Sequence, residues 1–171
     1  MNRGVKEGIF MFWRKKEEPV ANCLTWFSYA VMLPEMDESE ATVIGNMIIK
    51  NTGTMPLTNP MICIRITPPE NVRLGGKIGA LTHTALTIDG TNTESWHYFH
   101  DNWKEQAAEK GEHWLKPNHI HILEPGQQIS FEKELRISTA KKEKYVLVEG
   151  FFYSEEIKNG MRTLNNISIN F

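Results

Sequence analysis

The chain is poor in the features that most often reveal a function. Only two cysteines, Cys23 and Cys63, occur in 171 residues, and a chain of that length buries a core without disulfide or metal staples. No apolar run is long enough to cross a bilayer. Charge is nearly balanced, at −2 with a pI of about 6.3, which removes the basic excess of a nucleic-acid binder and the acidity of a solvating tail. HExxH, paired CxxC and GxSxG are all missing, and neither cysteine has a neighbouring histidine to activate it. Gly75, Gly76 and Gly79 match neither GxGxxG nor GxxxxGK[ST], so they read as loop glycines. Nothing here reads as an enzyme.

What is present is ordinary globular composition, 40% apolar and 23% charged, over a length that suits one domain. Residues 1–19 read as a flexible extension: Ile9-Phe-Met-Phe-Trp13 is too short for a signal core, and Arg14-Lys-Lys-Glu-Glu18 has the wrong charge order. Residues 20–171 read as a single domain, soluble and cytoplasmic. Without a secretory signal, Cys23 and Cys63 read as free thiols, although their places on two strands leave a bridge open.

The patterning is that of strands. Residues 23–33 (CLTWFSYAVML) carry apolar groups on both alternation sets, as a strand covered on both faces would. Residues 42–50 (TVIGNMIIK) follow, with Gly45 marking a bulge or a close backbone approach. Residues 61–67 (MICIRIT) alternate cleanly, Ile62, Ile64 and Ile66 inward against Cys63, Arg65 and Thr67. A weaker signal covers residues 70–92, with a strand near Ala85, Leu86 and Ile88 before an Asp89-Gly90 turn. Ile129, Phe131, Leu135 and Ile137 alternate, interrupted by Lys133. Residues 145–153 (YVLVEGFFY) are apolar on both faces except Glu149, which with Lys133 reads as a cross-strand pair or a polar patch. Asn159-Gly160 signals a hairpin before a last strand at Ile167, Ile169 and Phe171.

Residues 93–111 break this rhythm. Trp96, Phe99, Trp103 and Ala107 recur at helical spacing, Thr93 or Ser95 suits a cap, and Gly111 suits the left-handed position that closes a helix. The expectation is a mainly β, antiparallel sandwich of about seven to nine strands with one helical insertion at about 93–118.

At residues 51–69 (NTGTMPLTNPMICIRITPP) the chain resembles bacterial immunoglobulin-like and fibronectin-type-III-like sandwich domains. They commonly carry an Asn-Thr-Gly turn, a strand ending in prolines and a later Pro-Gly turn, here Pro125-Gly126. The resemblance implies a Greek-key, immunoglobulin-like sandwich with an adhesive, scaffolding or binding role. The Cys…Trp…Cys spacing of immunoglobulin domains is absent, and no functional residue carries over.

Five of six histidines lie between positions 97 and 121. His119 and His121 share one face of a strand, and His100 or His97 from a neighbouring helix would complete a zinc-like site, with Asp101 or Glu112 as an oxygen donor. The same segment is aromatic. Trp96, Tyr98, Trp103 and Trp114, with His100, His119 and His121, are therefore the candidate binding residues, Tyr98 and Trp114 being best placed for exposure. The leading expectation is a non-enzymatic protein-binding or scaffolding domain whose partner is another protein. The alternative is a metal-binding protein or metal-dependent enzyme using His100, His119 and His121 with zinc or another divalent ion. A third reading is self-assembly through a free edge strand.

Overall fold

The computed structural model describes residues 15–79, 94–140 and 145–171. Ile9–Trp13, His83, the Ala85–Ile88 strand, the Asp89-Gly90 turn and the Thr93 cap fall outside them. The fold is mainly β, with strands in antiparallel sheets and one α-helix among the described residues. The first sheet runs β1 (Cys23–Met32), β2 (Glu40–Asn51), β9 (Gln128–Ser138), β5 (Val72–Gly76). The second runs β11 (Met161–Arg162), β10 (Tyr145–Tyr153), β4 (Met61–Thr67), β7 (Glu112–Pro117), β6 (Trp96–Tyr98), and β12 (Ile167–Asn170) also pairs with β10. A two-strand ribbon joins β3 (Leu57–Thr58) to β8 (Ile122–Leu123).

One core lies between the sheets. From the first it takes Phe27, Val43, Met47, Phe131 and Leu135, and from the second Ile62, Ile64, Leu115, Val148 and Phe152. The inward set of β4 is the one its alternation specifies. Trp96 joins the layers: its ring meets Phe131 edge-on at 5.6 Å, and its indole N–H donates to the Ser130 carbonyl at 3.1 Å.

The two turn signals form one structure. Asn51 is fully buried; its Nδ2 donates to the carbonyls of Met55 and Leu123 at 2.9 and 2.8 Å, and its Oδ1 accepts from the Gly53 N–H. Its main chain bonds both ways across the second turn, accepting from Gly126 N–H and donating to Gln127. Asn51-Thr-Gly and Pro125-Gly126 are thus clamped together. Gly45 is a close approach: a Cβ there would lie 2.1 Å from the Ser28 carbonyl oxygen.

Three expectations are corrected. The insertion is not one long helix. Trp96–Tyr98 is the strand β6 on β7, and the helix is confined to α1 (Trp103–Lys110), preceded by Asn102 and closed by Gly111 at φ 68°. The helical spacing from Trp96 to Ala107 was coincidental, because burying Trp96 against Phe131 outweighs local periodicity. Second, β1 is not covered on both faces. Cys23, Thr25 and Phe27 face the core, Phe27 lying against Gly150 and Thr163, but from Ser28 to Met32 every residue is exposed. Third, Lys133 and Glu149 do not pair. Lys133 points inward from the first sheet, its Nζ 4.5 Å from the Phe27 ring centroid, whereas Glu149 lies on the outer face of the second, bonded to Arg162.

Candidate binding face

Alternation on the second sheet sends Ile62, Ile64 and Ile66 inward, so their neighbours form its outer face. Register then aligns them in rows across the strands. Phe151 lies opposite Cys63, and Cys63 opposite Trp114; the chain just past β6 continues this row, its Phe99 N–H donating to the Trp114 carbonyl. Tyr153 pairs with Met61 in the next row, and Lys116 pairs with His97. Glu149, Arg65 and Glu112 form the row beyond.

The side chains in these rows hold one another. Trp114 and Tyr153 ring centroids are 5.2 Å apart, His100 stands edge-on to Trp114 at 6.3 Å and to Phe99 at 4.8 Å, and the Trp114 indole N–H donates to Glu112 at 3.1 Å. The Lys116 ammonium lies over Phe99 at 4.8 Å and the Arg65 guanidinium over Phe151 at 5.0 Å. Cation–π contact of this kind fixes a ring while leaving its far side open. Glu149 receives Arg162 at 2.7 Å and Arg65 at 3.9 Å. Phe99 remains 48% exposed. A shallow hollow of about 400 Å³ opens beside it, lined by Met61, Phe99, Lys116, Tyr153 and Lys158.

Beneath this face sits a second aromatic group. Tyr98 stacks on Trp103 with centroids 4.0 Å apart and planes 6° from parallel, which fastens α1 to the sheet. Its hydroxyl is 3.0 Å from His113 Nδ1. Burial lowers the His113 pKa to about 4 and raises that of Tyr98 to about 12, so at neutral pH the imidazole is neutral and the phenol protonated.

The seven residues singled out from the sequence divide accordingly. Trp114 and His100 belong to the outer face. Tyr98 and Trp103 form the supporting stack, and Trp96 lies in the core with no exposed surface. His119 pairs with Glu94 at 3.1 Å, and His121 lines a separate hollow of about 320 Å³ with His97, Asn59 and Lys116. His100, His119 and His121 therefore do not converge, and among the described residues no three His, Cys, Asp or Glu side chains gather as metal ligands would. Cys23 and Cys63 are both free and buried; they lie on different sheets, Cys23 inward and Cys63 beneath the outer aromatic row. Burial raises their thiols to about 11 and about 12.

Sequence reading missed Phe151, Tyr153 and Arg65, and named Phe99 within the aromatic segment but set it on a helical stripe. The signal was there: in 145–153, Phe151 and Tyr153 share the alternation set of Glu149, which marks the solvent side.

No protein-family model matches the chain, and no curated protein matches it. Among solved structures, the chain is similar to the crystal structure of a FixG-related protein from Vibrio parahaemolyticus, at 10% identity over 85% of this chain and 94% of that one, with a TM-score of 0.34. A likeness at that score carries no functional argument. No helix among the described residues is long and apolar enough to cross a membrane.

Proposed function

We propose that the protein is a non-enzymatic binding domain, an immunoglobulin-like sandwich of the cytoplasm, that captures a protein segment on the outer face of its second sheet. The carrying observation is the row Phe151–Cys63–Trp114–Phe99, whose rings, Phe99 exposed and Phe151 and Trp114 half-buried, are already held by Arg65, Lys116 and Glu112. Rings fixed before binding lose little side-chain entropy on contact, and aromatic and Arg residues dominate interface energetics. Ion pairs along the adjacent row, Glu149–Arg162 and Arg65–Glu112, border it on one side with the kind of polar rim that surrounds such centres. A cytoplasmic location suits the two unpaired thiols.

Selection from a displayed library of random linear peptides tests this reading. Clones enriched on the wild-type chain should lose about 30-fold or more in affinity on Trp114→Ala, the loss of one hot-spot ring. They should be indifferent to Ile44→Ala on the other sheet. Absence of enriched clones, or clones that bind Trp114→Ala equally well, contradicts it.

A further inference from the structure

The exposed half of β1 is an unusual sheet edge. Near its start the outward side is occupied: the Phe27 N–H donates to Asn165 Oδ1 at 2.7 Å, the Phe27 carbonyl accepts from Asn165 Nδ2 at 2.9 Å, and the Thr25 carbonyl accepts from Leu164 N–H at 2.8 Å. A single asparagine side chain there imitates a neighbouring strand. The alternation of an antiparallel ladder turns the main-chain groups of Tyr29 and Val31 the same way. Among the described residues nothing beyond β2 bonds to them. Edges are normally blunted by charges, prolines or bulges, yet residues 23–33 contain no charged residue and no proline.

We propose that residues 28–32 pair with the same segment of a second copy of this chain, antiparallel about a twofold axis at Ala30. Centred there, Tyr29 of each copy lies opposite Val31 of the other. Four main-chain hydrogen bonds then form, using every free N–H and carbonyl of Tyr29 and Val31. The two side chains, each 39% exposed, become an aromatic–β-branched cross-strand pair, a favourable combination. Ala30 meets its own copy at a non-hydrogen-bonded position, where Cα atoms stand about 4.5 Å apart and a small side chain fits. Charge favours a second copy in this orientation. The acidic turn after β1, with Glu35, Asp37 and Glu38, falls at opposite ends of the pair. The two Glu35 residues lie ten strand residues apart, roughly 33 Å, several Debye lengths. The arrangement is isologous, so it closes at a dimer. A contact of this length is smaller than a standard interface, the class in which association is weak and transient.

Sedimentation velocity on the full chain from about 5 to about 500 μM tests the proposal. The wild type should shift from monomer toward dimer over that range. Val31→Pro removes one outward N–H at a position where an edge tolerates proline, and Ala30→Lys sets two cations against each other at the axis; both should stay monomeric with an unchanged circular dichroism spectrum. Ala30→Cys should oxidise to a disulfide-linked dimer, since about 4.5 Å between Cα atoms lies within disulfide range. Ser28→Cys, opposite Met32, should not. The native thiols, buried and held protonated, do not compete. A wild type monomeric at the highest concentration, a dimer that persists in both Val31→Pro and Ala30→Lys, or equal cross-linking by Ala30→Cys and Ser28→Cys would overturn it.

Discussion

The two sheets share one core but turn different chemistry to the outside. The second presents side chains: Phe99, Trp114, Tyr153 and Phe151, fixed by Lys116, Arg65 and Glu112. The first presents backbone: on its β1 edge no main-chain bond beyond β2 reaches Tyr29 or Val31 among the described residues, and an open hollow bounded by Ala30, Ile44, Asn46 and Glu132 lies beside them. Recognition through rigid rings selects a partner by its side chains, whereas recognition through an edge accepts a strand of suitable shape. Each sheet also hides a basic group on its inner side, His113 in the second and Lys133 in the first. Burial lowers both pKa values, so both cost stability as pH falls, but in separate windows, and the two halves of the molecule can be perturbed separately.

The largest effect should erase the contrast. Asn51 belongs to neither face but locks both turns at one end, so Asn51→Ala leaves two carbonyls and an N–H without their buried partner. Chemical denaturation should show a loss of about 3 kcal/mol, with both faces lost in a single transition.

Acid should strike the second sheet. Folded His113 has a pKa near 4 because of burial, against about 6.5 when unfolded. The unfolded chain therefore binds a proton first as pH falls, and stability drops between about pH 6.5 and about pH 4, by roughly 3 kcal/mol from this residue. Urea midpoints at several pH values check this: His113→Gln, which keeps a polar group for Tyr98 without the titration, should flatten the slope.

Lys133 reports on the first sheet. It is 2% exposed, its Nζ has no hydrogen-bond partner, and burial lowers its pKa to about 8. The unfolded lysine holds its proton to about pH 10.4, so between about pH 8 and pH 10.4 the unfolded state is the more protonated and stability rises with pH. At pH 7 the buried charge is a cost that Lys133→Met removes. The variant should be about 2 kcal/mol more stable by urea denaturation at pH 7, and its advantage should shrink as pH rises from about 8 to about 10.4.

The smallest effect sharpens the role of the rim. Arg65→Ala removes two exposed ion pairs and one cation–π contact. It should cost no more than about 1 kcal/mol of stability, yet weaken peptide capture several-fold because Phe151 is no longer held.

The sequence made the regular strands legible and the insertion not. In β4 and β9, strict alternation of Ile and Leu with polar residues left one reading, and the structure keeps that alternation in both. Even Lys133 sits on the inward set of β9, where sequence treated it as an interruption; what could not be read was that Phe27 would shelter its amine. β1 misled because its exposed and buried halves carry the same residue types, so nothing local distinguishes them. At Trp96, a three- and four-residue spacing indicated a helix, while a partner 35 residues away, Phe131, determined a strand. The candidate site suffered for the same reason: Trp114 and His100 were recognisable from the crowding of aromatics and histidines, but Phe151 and Tyr153 reach that face only through the pairing of β10 with β4.

The central claim is that side-chain recognition resides on the second sheet. The most direct measurement is a nitrogen–proton correlation spectrum of the full chain titrated with a selected peptide. Shifts should concentrate at residues 61–65, 97–100, 112–116 and 149–153, and leave 28–33 and 44–46 unmoved. Shifts confined to 28–33 and 44–46 would move the binding surface to the other sheet and contradict the account.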